Sequence, residues 1–413
     1  MVYILFTAYF ILLNWLLLKN RFIKNGGLAP SVIVFIFSIK VMAGLFTGWM
    51  LRNNPDADTW NYHTDALEEY RLLFSHPKEY FLNLFTSGYQ HGYSGIWATS
   101  NSYWNDLKTN LIVKMISVLD IFSNGNYYIN VLLFNFFIFF GHFALFRVFN
   151  EVYKNKRPLL IITCFLLPSV ILFSNTLHKE GIILSAVGII VFCTHALLKG
   201  NKIGISKICA VIFSVVLIAL FRSYVLLAML PVLAAWMIAE KKKLKAWYVY
   251  FAVYSFTGLI FFLTPTLPKV IADRQSDFFN LQRANSYIST DTLQPTFTGF
   301  LRNAPQALAH GFTRPFLSDY HLSFPLIIFT AELYFYLLLI ILFIFFREEK
   351  IPHKSFMLFA LLFGFSMLFI IGYIVPVMWA IVRYRSIYLP LLISPLICTI
   401  NWQKIELIVK IKN

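Results

Sequence analysis

The sequence predicts an all-α polytopic membrane protein, with about eleven transmembrane helices in a single integral membrane domain over residues 1–413. Two observations predict this fold. Of the 413 residues, 59% are hydrophobic and only 13% are charged, whereas a soluble domain has roughly 25% charged residues. The apolar residues also come in runs of about 17–23 residues, the length that crosses roughly 30 Å of hydrocarbon as a helix. A water-soluble fold is therefore excluded.

The predicted spans follow these apolar runs in chain order. The first run has neither a basic segment before it nor a small-residue cleavage site after it, which favours a retained span over a signal peptide. No soluble domain is expected on either side of the membrane part. The spans are predicted at residues 2–18, 28–50, 127–149, 158–176, 181–198, 205–221, 223–239, 246–264, 325–346, 354–374 and 386–400.

The charged residues between the spans predict an orientation. Loops after the odd-numbered spans, together with the C-terminal tail, carry a large excess of Lys and Arg, for example at 154–157 and 241–243, while the other side is nearly neutral. The positive-inside rule then places the N-terminus outside a bacterial inner membrane and the C-terminus in the cytoplasm. The net charge of +16 thus reflects topology. The lipid bilayer is an expected partner, and nucleic acid is not.

Two connections, 51–126 and 265–324, are much longer than the others, and both are predicted to be outside. Function tends to reside in such loops. Residues 65–74 have apolar side chains at helical spacing, so they could lie along the membrane surface. Residues 111–122 could form a twelfth, shallow helix or a re-entrant turn.

The first polar cluster, residues 52–63, follows the second span directly. A helix that starts near Asp58 would have this carboxylate as its N-cap, with Tyr62 and Asp65 on the same face. One interpretation is a capped helix with a solvated first turn. The density of Asp, His and aromatic residues at one membrane edge favours a functional site.

The second cluster, residues 168–181, is a polar break inside an apolar stretch that runs from 158 to 198, and it predicts a tight outer hairpin. Adjacent residues on a helix point roughly 100° apart, so Lys179 and Glu180 should each find another partner. A snorkelling lysine and a helix-capping glutamate would also explain them.

Two further clusters are predicted at outer turns, Arg222 between two spans and 383–385 before the last one. Arginine suits bidentate phosphate binding and keeps its charge at a membrane edge. Interfacial Arg beside Tyr and Trp is equally an ordinary membrane anchor. Lys40 and Glu332 are the two charges predicted deep in lipid, where such residues pair or line a pathway. One interpretation is a Lys40–Glu332 pair, and the other is that Lys40 marks a helix buried in the bundle.

The charge-based topology places four clusters, far apart in sequence, on one face. Carboxylates beside Arg and Lys suit a reaction in which a base activates a hydroxyl while cations stabilise a phosphate leaving group.

The same residues resemble the C-type (GT-C) membrane glycosyltransferases and the related bacterial exopolysaccharide and O-antigen polymerases. The stretch 58–62 is similar to the Asp-Thr-x-x-Tyr sequence in the first outer loop of the polymerases. The hairpin at 179–180, the segment 302–316 and the triplet 383–385 look like the remaining landmarks. Where several C-type families have an Asp-Glu or Glu-x-Asp pair, this chain has Asp-Ala-Asp at 56–58, so the identity of the base is open.

The resemblance implies sugar transfer from a polyprenyl-phosphate or polyprenyl-diphosphate carrier to a glycan or lipid acceptor outside the cytoplasmic membrane. Asp58 would be the base or would position the acceptor, with Asp56 and His63 in support. Lys179, Arg222, Arg383 and Arg385 would bind the carrier phosphate. The substrate-binding residues implied are Arg52, Tyr62, Lys179, Glu180, Arg222, Arg314, Arg383 and Arg385.

Some alternatives stay open. Trp60, Trp97 and Trp104 could stack on sugars or be interface anchors. Asp56, Asp58, His63 and His91 could hold a divalent cation but lack a diagnostic spacing, and the four cysteines show no CxxC spacing. A divalent cation is therefore an open alternative, and no other cofactor is predicted. A flippase or transporter of lipid-linked oligosaccharide is the main alternative function, although no internal repeat is found, and a non-catalytic scaffold is the third.

Overall fold

The computed structural model describes residues 2–55, 57–86, 92–93, 96, 102–202, 204–279, 286–319 and 324–412. This part of the chain is helical and contains no β-strand. Its helices are α1 (Val2–Lys19), α2 (Arg21–Lys24), α3 (Pro30–Met50), α4 (Asp58–Ser75), α5 (Pro77–Leu82), α6 (Tyr103–Ser123), α7 (Tyr127–Val152), α8 (Arg157–Ile161), α9 (Pro168–Ser174), α10 (Lys179–Leu198), α11 (Ile205–Lys242), α12 (Ala246–Leu263), α13 (Thr266–Phe279), α14 (Phe297–Thr313), α15 (Phe324–Phe346), α16 (Lys354–Ile374), α17 (Met378–Arg385), α18 (Leu389–Thr399) and α19 (Trp402–Lys412).

The prediction of a polytopic all-α membrane protein is confirmed. Among the described residues, 8 helices are long and apolar enough to cross a membrane, or up to 10 if each of two bent helix pairs is one span. The eleventh predicted span would require counting α11 twice. Its 38 residues correspond to roughly 57 Å of helix, about twice the hydrocarbon thickness. The count of eleven stays a prediction.

Three helical segments contain breaks. Helix α8 continues through a π-helical turn at Ile162–Leu166 and meets α9 at a 45° bend, while α17 and α18 meet at 62°. In α11 the backbone of Arg222 is non-helical, with φ −148° and ψ 71°. Kinks of this kind leave backbone groups to be satisfied by neighbouring polar groups.

The chain divides into two units, of which the first comprises residues 1–147, 171–191 and 208–222. In it the first long loop forms α4, α5 and α6, and α4 packs against α6. Helix α6 begins after Ser102, whose hydroxyl accepts from the backbone N–H of Asn105 at 3.3 Å, and ends at Asn124, in the left-handed region at φ 52°. Each cap provides hydrogen bonding for backbone groups that an end of the helix would otherwise leave without a partner.

An ion pair holds these loop helices together. The Lys114 ammonium pairs with the Glu69 carboxylate, donates to the Tyr80 carbonyl at 2.5 Å and lies 3.6 Å from the centre of the Tyr80 ring. The Tyr80 hydroxyl is 2.9 Å from that of Ser117. The predicted shallow helix at 111–122 is thus the second half of α6, a 21-residue helix that is not among the candidate spans.

The second unit comprises residues 148–170, 192–207 and 223–413. Helix α16 is its centre, packing against α12, α13, α14, α17 and α18. The Gln275 side chain ties the second long loop to this core: its amide nitrogen donates to the carbonyls of Asp291 (3.1 Å) and Tyr373 (2.8 Å), and its oxygen accepts from the N–H of Leu293 at 2.7 Å. This buried amide therefore fixes the segment before α14.

Candidate functional site

Helix α4 is attached to the first unit along one face, which includes buried Thr59, His63 and Ala66. The Thr59 hydroxyl is 2.8 Å from that of Tyr127. The Trp60 indole donates to the Gly48 carbonyl at 2.8 Å, and its ring stacks on Tyr127 with centroids 4.0 Å apart. One face of Trp60 is therefore covered by protein, so any sugar contact would have to use the other face.

The remaining face of α4 presents Asp58 and Tyr62, both half-buried. The expectation that Asp58 is the N-cap is wrong. Ala57 occupies that position without a side-chain cap hydrogen bond, and Asp58 is the first helical residue. A carboxylate in the first turn is favoured there by the helix dipole. Because Asp58 and Tyr62 are four residues apart, their Cβ atoms are neighbours on this face, roughly 5–6 Å apart.

His63 is buried, whereas an acid–base group at the membrane edge would be expected to be accessible to substrate. It is 5% exposed, and its ring meets those of Trp60 and Tyr127 edge-on at 5.9 and 5.3 Å. Desolvation by this burial lowers the pKa of His63 from 6.5 to about 4. His63 is therefore neutral near pH 7, and what it can supply is packing, with Asp58 as the more accessible candidate base.

Helix α10 begins at Lys179, within the polar break, and we call residues 174–181 the hairpin. Glu180 is 1% exposed, and its carboxylate accepts from the Arg222 guanidinium at 2.9 Å. The Lys179 nitrogen lies 5.0 Å from the centre of the Tyr62 ring and 6.0 Å from that of Phe221. The structure thus gives Lys179 and Glu180 separate partners, as their adjacency on a helix predicted.

These contacts bring three predicted clusters together within the first unit. Tyr62 comes from the first long loop, Lys179 and Glu180 from the hairpin, and Arg222 from α11. Arg222 is the non-helical residue at a kink where two helical stretches of α11 meet, which is the position between two spans that the sequence predicts. The break in the backbone lets this side chain turn towards Glu180. Arg52, the remaining predicted residue of this unit, is exposed beyond the end of α3.

The other predicted arginines belong to the second unit and have local partners. Arg314 pairs with Asp319, whose other carboxylate oxygen accepts from the N–H of Phe316 at 2.7 Å. Arg383 is half-buried, with its guanidinium carbon 5.3 Å from the centre of the Tyr384 ring. Arg385 is 1% exposed and donates to the Gly311 carbonyl at 2.7 Å. The triplet 383–385 is therefore the end of helix α17, just before the bend that leads into α18.

Lys40 and Glu332 each have a partner other than one another. Lys40 is fully buried and donates to Asn175 at 2.5 Å, and its nitrogen lies 2.8 Å from Nδ1 of His142. In the second unit, Glu332 accepts from the N–H and the hydroxyl of Ser169, both at 3.2 Å. Sequence reasoning missed His142, although a histidine in a long apolar run signals a role.

A second missed residue is Asp120 on α6, which is fully buried. Its Oδ1 accepts from the Asn130 amide at 2.6 Å, while Oδ2 has no hydrogen-bond partner in the described part of the chain. Desolvation raises the pKa of Asp120 from 3.8 to about 6, against the opposing effect of the hydrogen bonds from Asn130 and Ser123. This carboxylate belongs to the interior of the first loop.

The question of a divalent cation stays open. Within the described ranges, no group of three or more His, Cys, Asp and Glu side chains is arranged to hold a metal ion. Asp56, His91 and Trp97, which the sequence suggested as ligands or sugar contacts, lie outside those ranges.

Comparison with protein-family models, with curated proteins and with solved structures gave no match.

Proposed function

We propose that this protein is a membrane glycosyltransferase that moves a sugar from a polyprenyl-phosphate or polyprenyl-diphosphate carrier to a glycan or lipid acceptor, in cell-surface polysaccharide assembly. The observation that carries the proposal is the contact of Lys179 with Tyr62. It places a hairpin cation beside the helix face that carries Asp58. Such a transfer needs a carboxylate as the base and a cation for the leaving phosphate.

Each group has a defined part in the proposed reaction. The carrier phosphate binds the Lys179 ammonium, with the Arg222 guanidinium held next to it by Glu180. Asp58 accepts the proton of the acceptor hydroxyl as the oxygen of that hydroxyl attacks the anomeric carbon of the sugar. The bond from that carbon to the carrier phosphate oxygen breaks, and the leaving group departs as a phosphate or diphosphate anion, whose charge Lys179 stabilises. The charge bias of the loops supports placing this site on the extracytoplasmic face.

A flippase of lipid-linked oligosaccharide remains the second candidate, because a buried cation such as Lys40 in a membrane helix also suits a transport pathway. The two functions differ in what a carboxylate must do. A transferase needs Asp58 as a base, whereas a flippase needs only cations for the carrier phosphate.

The test is the profile of lipid-linked and surface glycans in cells that carry Asp58→Asn, compared with a deletion and with the wild type at matched protein level. Asp65→Asn, on the same helix and exposed, is the matched control. The proposal predicts that Asp58→Asn accumulates the same undersized or unextended glycan as the deletion, and that Asp65→Asn resembles the wild type. Wild-type glycans in Asp58→Asn, with defective glycans in the deletion, would favour the flippase or a scaffold.

A further inference from the structure

We propose that Lys40 and His142, both buried in membrane-spanning helices, are positioning residues that hold the hairpin so that Lys179 and Glu180 face Tyr62 and Arg222. The inference rests on the proposed function, since it gives these two residues a part in the carrier site. Their hydrogen bonds go to the hairpin ends and to each other, so they act through the hairpin and not on the carrier directly.

Lys40 lies in the middle of α3 and is fully buried. An ammonium group has three donors and no acceptor, so the atoms around it must accept. The side-chain oxygen of Asn175 does so at 2.5 Å, and Nδ1 of His142 lies at 2.8 Å. Asn175 is the second residue of the hairpin, and Lys40 therefore holds its first end.

The hydrogen bonds of His142 determine which of its nitrogens carries the proton. Nε2 is 3.1 Å from the carbonyl oxygen of Gly181, and a carbonyl can only accept, so Nε2 must carry a hydrogen. Nδ1 is then the bare acceptor for Lys40. A doubly protonated ring would direct a second N–H at the ammonium. The neutral imidazole therefore links Lys40 to Gly181, the last residue of the hairpin.

Two further contacts leave the hairpin little freedom at Asn175. The Asn135 amide on α7 donates to the Asn175 carbonyl at 2.7 Å. On α3, a Cβ at Gly44 would overlap that same carbonyl. Residues 174–177 are fully buried. Both ends of the hairpin are thus bound from inside the membrane part, and Lys179 and Glu180 lie between these ends.

The burial of the Lys40 amino group makes this arrangement strongly preferred. A buried ammonium is costly unless its donors are satisfied, and the acceptors present are the Asn175 amide oxygen and the imidazole. Any movement of the hairpin that takes Asn175 away from Lys40 removes one of these two hydrogen-bond acceptors. Replacing Lys40 with an apolar side chain of similar length removes the charge together with the restraint.

Thiol labelling of the purified, detergent-solubilised protein tests the restraint without any carrier. Thr176→Cys places a thiol at a fully buried hairpin position in a background of Cys209→Ser, since Cys209 is exposed and the other three cysteines are buried. We expect Lys40→Met to raise the rate at which a maleimide labels this introduced thiol roughly tenfold or more, the effect of losing a charged hydrogen bond. Lys19→Met, at an exposed lysine of α1, should leave the rate unchanged.

The same samples give a functional readout with a synthetic C20 prenyl monophosphate as the probe. Lys40→Met should weaken the binding of this probe by a similar factor, although Lys40 does not contact the probe. A twofold change is too small for the loss of a charged hydrogen bond. The proposal is therefore wrong if the labelling rate of the introduced thiol and the affinity for the probe both stay within about twofold of the parent values.

Variants of His142 test its hydrogen bonds to Lys40 and to Gly181 one at a time. They also keep the proposal testable if Lys40→Met fails to fold. The Asn side chain reaches the position of Nδ1 and keeps the acceptor for Lys40, while the Gln side chain reaches that of Nε2 and keeps the donor to Gly181. We expect His142→Ala to expose the introduced thiol more than either His142→Asn or His142→Gln. Equal labelling of all three, or labelling at the parent rate, would contradict the role of His142.

The inference and the proposed function can fail separately. If Asp58→Asn and Lys179→Gln both leave the glycan profile intact, the proposed function is wrong, and the role of Lys40 in it falls too, even if the thiol introduced in the hairpin becomes accessible. If these variants lose the glycan while Lys40→Met neither exposes that thiol nor weakens probe binding, the positioning role alone is wrong.

Discussion

Arg222 and Glu180 form an ion pair at 2.9 Å in which the glutamate side chain is 2% exposed and the arginine side chain 19%. The pair joins the non-helical residue of α11 to the first turn of α10 within the first unit. Leaving one charge of a buried pair without its partner costs more free energy than the pair itself contributes. The pair therefore fixes the position of the hairpin at Glu180, next to the contact of Lys179 with the Tyr62 ring.

Removing one member of this pair should destabilise the protein. We expect Arg222→Gln or Glu180→Gln to lower the free energy of unfolding by about 3–5 kcal/mol, because a buried charge loses its partner. The apolar double variant Glu180→Leu/Arg222→Met should recover much of this loss. Thermal unfolding of the detergent-solubilised protein measures the effect.

The ion pair of Lys156 and Glu348 provides a matched control, because its side chains are 30% and 34% exposed. Glu348→Gln should cost at most about 1 kcal/mol. An equal loss of stability in Glu348→Gln and Glu180→Gln would show that burial of the Glu180 pair does not increase its effect on the free energy of unfolding.

The pH dependence of stability should contain two opposing contributions from the first loop. The pKa of His63 is lowered to about 4, so the unfolded chain binds more protons between about pH 6.5 and 4, and stability falls as the pH falls through this range. The pKa of Asp120 is raised to about 6, so the folded protein binds more protons between about pH 4 and 6, and stability falls as the pH rises through that range. Each contribution has an order of magnitude of about 3 kcal/mol.

Single variants separate these contributions. In His63→Gln the contribution of Asp120 remains, and the unfolding midpoint should rise as the pH falls from 6 towards 4. In Asp120→Asn the midpoint should instead decrease over this range, and at pH 7 the variant should be more stable than the wild type. Parallel pH profiles of the two variants would contradict both assignments.

Gly48 should tolerate no side chain. A Cβ at Gly48 would overlap the Tyr127 ring at the start of α7, which stacks on Trp60, so Gly48→Ala should force α3 and α7 apart at a cost of about 1–3 kcal/mol. Gly258 in α12 is the control, since nothing lies within 4 Å of a Cβ built there. Gly258→Ala should be neutral or slightly stabilising. Equal thermal midpoints for the two variants would refute the close approach at Gly48.

The apolar runs predicted most of the fold, because the hydrocarbon thickness sets the length of a span whatever the function. The bend at Leu167 was beyond prediction, since a break in a helix depends on which polar groups lie beside it, whereas the break at Arg222 falls between two predicted spans. Amphipathic spacing indicated α4, but not that Thr59, Trp60 and His63 form its attached face.

For the candidate site, local sequence explained that Lys179 and Glu180 need separate partners. It could not identify Tyr62 and Arg222 as those partners, because they come from distant parts of the chain. The hypothesis that Lys40 pairs with Glu332 considered charge alone. Lys40 has neutral partners in Asn175 and His142 instead, and an interior lysine can be satisfied by acceptors without a carboxylate.

The most direct test of the central claim, that Lys179 binds the phosphate of a prenyl carrier, is the affinity of the purified protein for a C20 prenyl monophosphate. It is measured for the wild type, Lys179→Gln and Lys78→Gln, where Lys78 is an exposed lysine of α5. We predict that Lys179→Gln weakens binding by roughly tenfold or more, the effect of losing one charged hydrogen bond, and that Lys78→Gln binds as the wild type does. Equal affinity of all three proteins would contradict the claim.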